Sequence, residues 1–557
     1  MSPRSPSSSA VSSTSSASVA PWWQRGVVYQ IYPRSFLDTN GDGVGDLRGI
    51  IAQIPYLAWL GVDVVWISPF YPSPMVDFGY DVKDYTDVDP LFGDLATFDA
   101  LVATARAHGI RVLVDFVPNH TSNEHPWFIE SRASRSSAKR DLYVWADARP
   151  DGSAPNNWIS VFGGSAWQWD EATGQYYLHT FLSEQPDLNW RNPAVAEAMH
   201  ENMRFWLDRG VGGFRIDAPL PMMKDPEMRD NPASDGQKVF HRPVGDYDKL
   251  VPLYNQGHPD IHGIFRGFRR VLDDYGHEDQ RVAIGEIHEF HWPTWVKYYG
   301  VELDELHMPF NFGLLAIPWN AQTVARLVSE VEASLPQGAW PNYVLGNHDE
   351  PRVASRVDSE ARARLAMMML RTLRGTPTIY YGDELGMQNT DIPKERLRDP
   401  WELRLPGIGV GRDPGRTPMP WDASPNAGFC PAGVEPWLPM GNDRAQRNVD
   451  VQKDDPRSLL TLTRALLVLR RETAALSGGI YRALREGEDD CFAFLREAGD
   501  ERCLIALNFA DTPRTLSLSG ITAGEILAST HPDAPRGQRA LDMIHLRGDE
   551  GLVVRLA

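Results

Sequence analysis

Three carboxylates stand at the ends of three apolar, β-branched runs: Asp217 closes GFRID, Glu286 closes RVAIGE and Asp349 ends PNYVLGNHD. A fourth acid, Asp115, lies in RVLVDFVPNH with Asn119 and His120 close behind it. Arg215 precedes Asp217 by two residues. In a strand, alternation places both on one face and Phe214 and Ile216 on the other. A neighbouring guanidinium keeps a carboxylate ionised, as a nucleophile requires, so Asp217 is expected to be charged. Glu286, on the next such run, is expected to be held protonated by its neighbours. One ionised and one protonated carboxyl is the pair that glycoside hydrolysis uses. Taken singly, an Asp at a strand end is more often a helix cap or an ion-pair partner. The force of the pattern lies in several such residues at successive strand ends.

The elements that must position them alternate along the chain. Strands are read in VVYQIYPRSF (27–36), VDVVWISPF (62–70), RVLVDFVPNH (111–120), VGGFRIDAP (211–219), RVAIGEI (281–287), LHMPFNF (306–312), PNYVLGNHD (341–349) and TPTIYYGDE (376–384), with helical patterns between most of them. Eight strand–helix repeats predict an α/β fold of the (β/α)8 barrel type. In such barrels chemistry sits at the C-terminal ends of the strands, where these acids fall. The Trp-, Ser-, Gly- and Pro-rich stretch 121–185 is too long for a simple loop and predicts an inserted subdomain. After the helical run 458–476 the pattern changes to short strands without helices, such as CFAFLRE and RCLIALNFA. The expected organisation is a Ser-rich disordered tail (1–20), a barrel (21–120 and 186–477), the insertion (121–185) and a C-terminal antiparallel β domain (478–557).

A second kind of chemistry is suggested by DTNGDGVGD (38–46), which begins like an EF-hand calcium loop. Position 12 of that loop is Gly49 rather than the bidentate Glu, and what precedes it reads as a strand. The stretch is therefore either a hard-cation loop set between a first strand and a first helix, or a metal-free turn.

Among 557 residues the formal charge is -19, which argues against a nucleic-acid partner. No apolar run approaches a membrane span. Three cysteines form no disulfide framework and suit a reducing, cytoplasmic setting, in which the NHT sequon at Asn119 carries no glycan.

In order along the chain, DFVPNH, GFRIDA, GEI and GNHD resemble the α-amylase superfamily of glycoside hydrolases. QPDLNW (185–190) is similar to the α-glucosidase and oligo-1,6-glucosidase branch, with support from GTPTIYYGDELGM and GRTPM. The resemblance runs from Trp22 to the C-terminus. It implies Asp217 as nucleophile, Glu286 as general acid/base and Asp349 as the residue that grips the sugar at the transition state. It also implies that His120, Arg215 and His348 line the same glucose, that Tyr80 stacks on its ring, and that Asp77 and Arg416 pair across the far end of the pocket. Phe162, Phe181 and Gln185 match further pocket positions. Asp38, Asn40, Asp42 and Asp46, with the Val44 carbonyl, would ligate a structural Ca2+ or Mg2+. The implied reaction is exo-acting hydrolysis of short α-glucosides with retention, or transfer to a sugar hydroxyl. Ala218, a small residue directly after the nucleophile, implies α-1,4 preference. Pro219 and Pro221 in the same loop, and Pro420 where the branch often has Gln, depart from the pattern on the acceptor side. The rival readings are an oligo-1,6-glucosidase, a glucosyl transferase or isomerase acting on sucrose or trehalose, and a non-catalytic barrel. The last would lack the three acids that are present here.

Overall fold

The computed structural model describes residues 20–236, 242–276 and 279–557; apart from Ala20, the expected tail lies outside the described residues. Eight parallel strands form the centre: Val28–Ile31, Val64–Ile67, Arg111–Phe116, Gly213–Ile216, Val282–Gly285, Met308–Asn311, Asn342–Tyr343 and Thr378–Tyr380. Each pairs with its neighbour in that order, the first also pairs with the eighth, and a parallel bridge between Val344 and Thr378 joins the seventh to the eighth. The eight expected strands are therefore the eight barrel strands, closed on themselves.

They are shorter than the apolar runs that announce them, and the reasons are local. The first stops at Ile31 because Pro33 lacks an N–H and opens a short 3-10 turn, Pro33–Ser35. The fourth begins at Gly213, at φ 139°, where an added Cβ would lie 2.0 Å from the Val282 carbonyl oxygen. No larger side chain lets the fourth and fifth strands approach this closely. Between strands, helices start on side-chain caps. Asp46 accepts from the Gly49 N–H to cap Leu47–Leu60, and Asp94 accepts from the Thr97 N–H to cap Leu95–Ala107.

The insertion carries a three-stranded antiparallel sheet of Trp145–Ala146, Gln175–Leu178 and Trp167–Asp170. Its return limb docks on the barrel through the QPDLNW motif. Buried Asp187 accepts from Thr180 and pairs with Lys224 Nζ at 2.8 Å, and Lys224 also donates to Asn119 Oδ1. The C-terminal region holds a six-stranded antiparallel sheet, beginning at Ile480–Glu486 and ending with Gly551–Leu556, and a two-stranded ribbon. Several of its strands escape a reading by hydrophobic alternation. Ile480–Glu486 (IYRALRE) and Gly537–Ala540 (GQRA) are edge strands without a fully buried side chain. Buried Arg496 clamps this region to the barrel: it donates to the carbonyls of Thr372 and Leu373 at the end of the helix Glu360–Thr372, where Arg470 of the barrel's last helix, Leu459–Glu472, donates to the Arg371 carbonyl.

Candidate active site

Arg215 organises the barrel mouth. It is buried, lies over the Trp66 ring at 4.9 Å and spreads its fork across three strands. Nη1 donates to Asp115 Oδ1 at 2.9 Å and to Asp217 Oδ1 at 2.5 Å; Nη2 reaches Glu286 Oε1 at 2.9 Å. Three carboxylates around one guanidinium would leave excess negative charge, and Arg412 and Arg416 supply the balance on the opposite wall. Arg416 Nη2 meets Asp349 Oδ1 at 2.9 Å while its Nε donates to the His348 carbonyl. Burial raises the Asp349 carboxyl, but His348, 3.2 Å away, together with Arg412, Arg416 and Arg215 outweighs burial and holds it far below the usual carboxylate range.

One pocket collects Asp217, Glu286 and Asp349 with Asp77, Tyr80, His120, Phe162, Phe181, Ala218 and His348. Arg215, Gln185 and Arg416 stand behind its wall, each almost fully buried. Tyr80 stacks on His348 at 5.3 Å and bridges it to the third strand: its hydroxyl contacts His348 Nε2 at 2.8 Å and donates to Asp115 Oδ2 at 3.0 Å. Burial drives His348 down to about 3 and His120 to about 4, so both imidazoles are neutral at neutral pH and act as hydrogen-bonding walls. Gln185 contacts His120 Nε2 and donates to Asp77 Oδ2, which ties the insertion to the pocket floor.

One expectation is corrected. The Asp77–Arg416 pair is not formed. Arg412 takes Asp77, with Nη2 at 2.8 Å from Oδ1, and also holds Asp399 at 2.7 Å and Asp349 at 3.3 Å. GRDPGR offers two arginines four residues apart, and only the turn Asp413–Gly415 decides which reaches across. Burial raises both carboxyls of the Asp217–Glu286 pair; Arg215 and His288 draw Glu286 down, while the neighbouring Glu286 and Asp115 carboxylates push Asp217 up, and the two titrate as a pair. Alternation along one strand shows the Arg215–Asp217 contact; it does not show that the same guanidinium serves two other strands.

The pocket also holds residues that the motifs did not mark: Arg412, Trp401, Arg242, His288 and Glu350. Most come from loops without a recognisable pattern, although RDP occurs twice, at 398–400 and 412–414, and both copies meet in the Arg412–Asp399 pair.

The α-amylase catalytic-domain family model matches residues 30–479, a span that holds all of these groups. The chain belongs to the α-amylase family of glycoside hydrolases. It is 44% identical over 514 residues to a probable α-glucosidase of Rhizobium meliloti (strain 1021), covering 89% of this chain and 91% of that one. Its identity to an oligo-1,6-glucosidase of Parageobacillus thermoglucosidasius is 38% over 525 residues, covering 88% and 91%. The crystal structure of an α-glucosyl transfer enzyme superposes with a TM-score of 0.90 at 40% identity, covering 97% of this chain and 100% of that one. As a glycoside hydrolase, the protein carries its acids where a family member needs them, at the C-terminal rim of the barrel.

Arg412 is the central cation of this glycosidase pocket, and its removal has a stated cost. Arg412→Ala leaves Asp77 and Asp399 buried without their counterion. A broken buried ion pair costs roughly 3–5 kcal/mol, so urea denaturation is expected to show a loss of that order, together with a raised KM. A variant with the wild-type midpoint and KM would remove Arg412 from this role.

The DTNGDGVGD loop is braced by backbone hydrogen bonds to 429–437: Asp38 N to Phe429 O and Trp437 N to Gly43 O, both 2.9 Å. Asp38 accepts the N–H groups of Asn40, Gly41 and Gly43, Asp42 accepts that of Val44, and Asp46 caps the following helix and takes Thr39. Among the described residues no group of three or more His, Cys, Asp or Glu side chains is arranged to hold a metal ion. The candidate donors of this loop, Asp38, Asn40, Asp42, Asp46 and the Val44 carbonyl, are oxygens only, which is the chemistry a hard cation takes.

Proposed function

We propose that the protein is a retaining, exo-acting α-glucosidase that releases α-glucose from the non-reducing end of short α-1,4-linked glucosides. The observation that carries this reading is the closed floor: Arg412 bridges Asp77, Asp349 and Asp399 across the pocket, so the chain of sugars has one way out. Asp217 attacks the anomeric carbon and forms a glycosyl ester. Glu286 gives its proton to the leaving oxygen and then takes one from the incoming water or sugar hydroxyl. The two carboxyls titrate as a pair. The pair shares the catalytic proton; a leaving oxygen that hydrogen-bonds to Glu286 favours the protonated acid there, and Arg215 stabilises the carboxylate on Asp217. Activity then falls at low pH as the pair gains a second proton and at high pH as it loses the last one.

Leu220 and Pro221, in the loop after Asp217, line the pocket together with Trp401. This apolar wall supports transfer to a sugar hydroxyl beside hydrolysis, in keeping with the likeness to a glucosyl transfer enzyme. Initial rates on maltose against isomaltose, with NMR assignment of the first anomer released, test the reading; β-glucose as first product would sink retention.

Ala218 bears on linkage. It has φ 38°, a region that β-branched residues avoid. Ala218→Val is therefore expected to slow both disaccharides through backbone strain and to slow maltose further by crowding its close-set leaving glucose. A change of about 1–3 kcal/mol in the maltose-to-isomaltose ratio is expected. A constant ratio would remove Ala218 as the discriminator.

We also propose Ca2+ or Mg2+ at the Asp38–Val44 loop, with a bracing role. Chelation, or Asp42→Ala, is expected to lower Tm, because a ligand bound to the native state alone stabilises it. Turnover of the folded enzyme should persist; an unmoved Tm would argue for a metal-free turn. Buried, unpaired Cys430, Cys491 and Cys503 support a reducing, cytoplasmic location. Among the described residues no helix is long and apolar enough to cross a membrane.

A further inference from the structure

The residue after Asp217 is conformationally out of place. Ala218 lies at φ 38°, in the left-handed region that L-residues avoid. It also precedes Pro219, and a residue before proline favours extended backbone. Two independent preferences are overridden at one position. Such strain persists only where the surroundings impose it. The constraints are visible on both sides. The Asp217 N–H is held by the Phe116 carbonyl at 2.8 Å, and Pro219 at φ -73° leads directly into the buried 3-10 turn Leu220–Met222.

The strained turn aims the Ala218 N–H at Glu286 Oε2, 3.0 Å away. Across the same carboxyl, Oε1 faces Arg215 Nη2 at 2.9 Å and His288 Nε2 at 3.5 Å. Arg215 and His288 thus sit on one oxygen and a neutral backbone donor on the other. Two donors on opposite oxygens fix the plane of the carboxyl group. Oε2 keeps a second lone pair for a proton.

We propose that the Ala218 amide is a positioning group for the acid/base: the backbone is held in a strained turn so that this N–H orients Glu286 and sets the pH at which Glu286 loses its proton. The inference rests on the acid/base role proposed for Glu286 above. The charged or titratable groups around that carboxyl are Arg215, Asp217 and Asp115 from the third and fourth strands, His288 beyond the fifth, and His348 and Asp349 beyond the seventh.

The direct test replaces the amide of residue 218 by an ester, through incorporation of lactic acid in place of Ala218, which deletes the N–H and keeps the methyl group. A hydrogen bond donated to a carboxylate favours its charged form. Its loss is expected to move the alkaline limb of the kcat/KM profile up by about one pH unit. Turnover of maltose is expected to fall about tenfold more than that of an aryl α-glucoside. Two side-chain variants read the same point without an ester. Ala218→Gly keeps the N–H and relieves the strain, so it should raise Tm and leave the alkaline limb in place. Ala218→Val should displace the turn and shift the limb upward, as the ester does. An alkaline limb that stays put in the ester, or in a folded Val variant, overturns the proposal; so does a Gly variant that shifts it as far as Val. The role of Glu286 itself is decided separately, by the leaving-group dependence of Glu286→Gln.

Discussion

Asp217→Asn is expected to lower kcat on every α-glucoside by on the order of 10^4-fold or more and to leave the fold intact. The amide oxygen can still accept from Arg215 Nη1, so the buried fork keeps a partner at that position. The variant also removes one negative charge from a site where Asp115, Asp217 and Glu286 crowd a single guanidinium. Thermal unfolding should therefore show a Tm equal to or above that of the wild type. What is lost is the nucleophile: an amide does not form the glycosyl ester, and no other carboxyl projects from that strand end. Rates on maltose and on an aryl glucoside should collapse together, because attack at the anomeric carbon is common to both. A variant that kept a tenth of wild-type turnover on either substrate would exclude Asp217 as the nucleophile.

Glu286→Gln is expected to behave differently on the two substrates. General acid catalysis contributes typically about 10^2–10^4-fold, and that loss should appear on maltose, whose leaving alkoxide needs a proton. An aryl glucoside departs as a stabilised phenolate and should lose much less in the first step. The structure adds a consequence for its neighbour. Burial and the opposing charges of Glu286 and Asp115 hold Asp217 above the usual carboxylate range. Removing the Glu286 charge lowers the Asp217 pKa, so the acid limb of the remaining activity on aryl glucoside should move down in pH. Equal losses on both substrates would take Glu286 out of the acid role, and an acid limb that rises would contradict the shared-proton account.

The barrel was legible in the sequence because its information is local and periodic. Each buried parallel strand is covered on both faces and so reads as a continuous β-branched run, RVLVDF or RVAIG, followed by a helical pattern. Strand ends were less legible: Pro33 cuts the first run short, and the edge strands Ile480–Glu486 and Gly537–Ala540 carry too many exposed polar residues to announce themselves. Asp217 and Glu286 were legible for the same reason as the strands, since each directly follows one, and Asp349 was legible from the run that ends in GNHD, although the seventh strand itself stops at Tyr343. The Asp77 partner was not. Arg412 and Arg416 lie in one loop with the same local chemistry, and the choice between them depends on a contact across more than 330 residues.

The sequence by itself determined that eight strand–helix units exist, that Asp217, Glu286 and Asp349 stand at their ends, and that Arg215 and Asp217 share a strand face. Those properties follow from periodicity and from the side-chain alternation of a strand. Only the tertiary structure decided which acids share a cation. One guanidinium, Arg215, is divided among three strands, and His288 lies beside Glu286. It also decided the backbone at Ala218, which neither alanine nor a following proline would choose. The strand end at Asp217 and the buried turn at Leu220 leave the chain no extended path between them, and the N–H that results points at the acid/base.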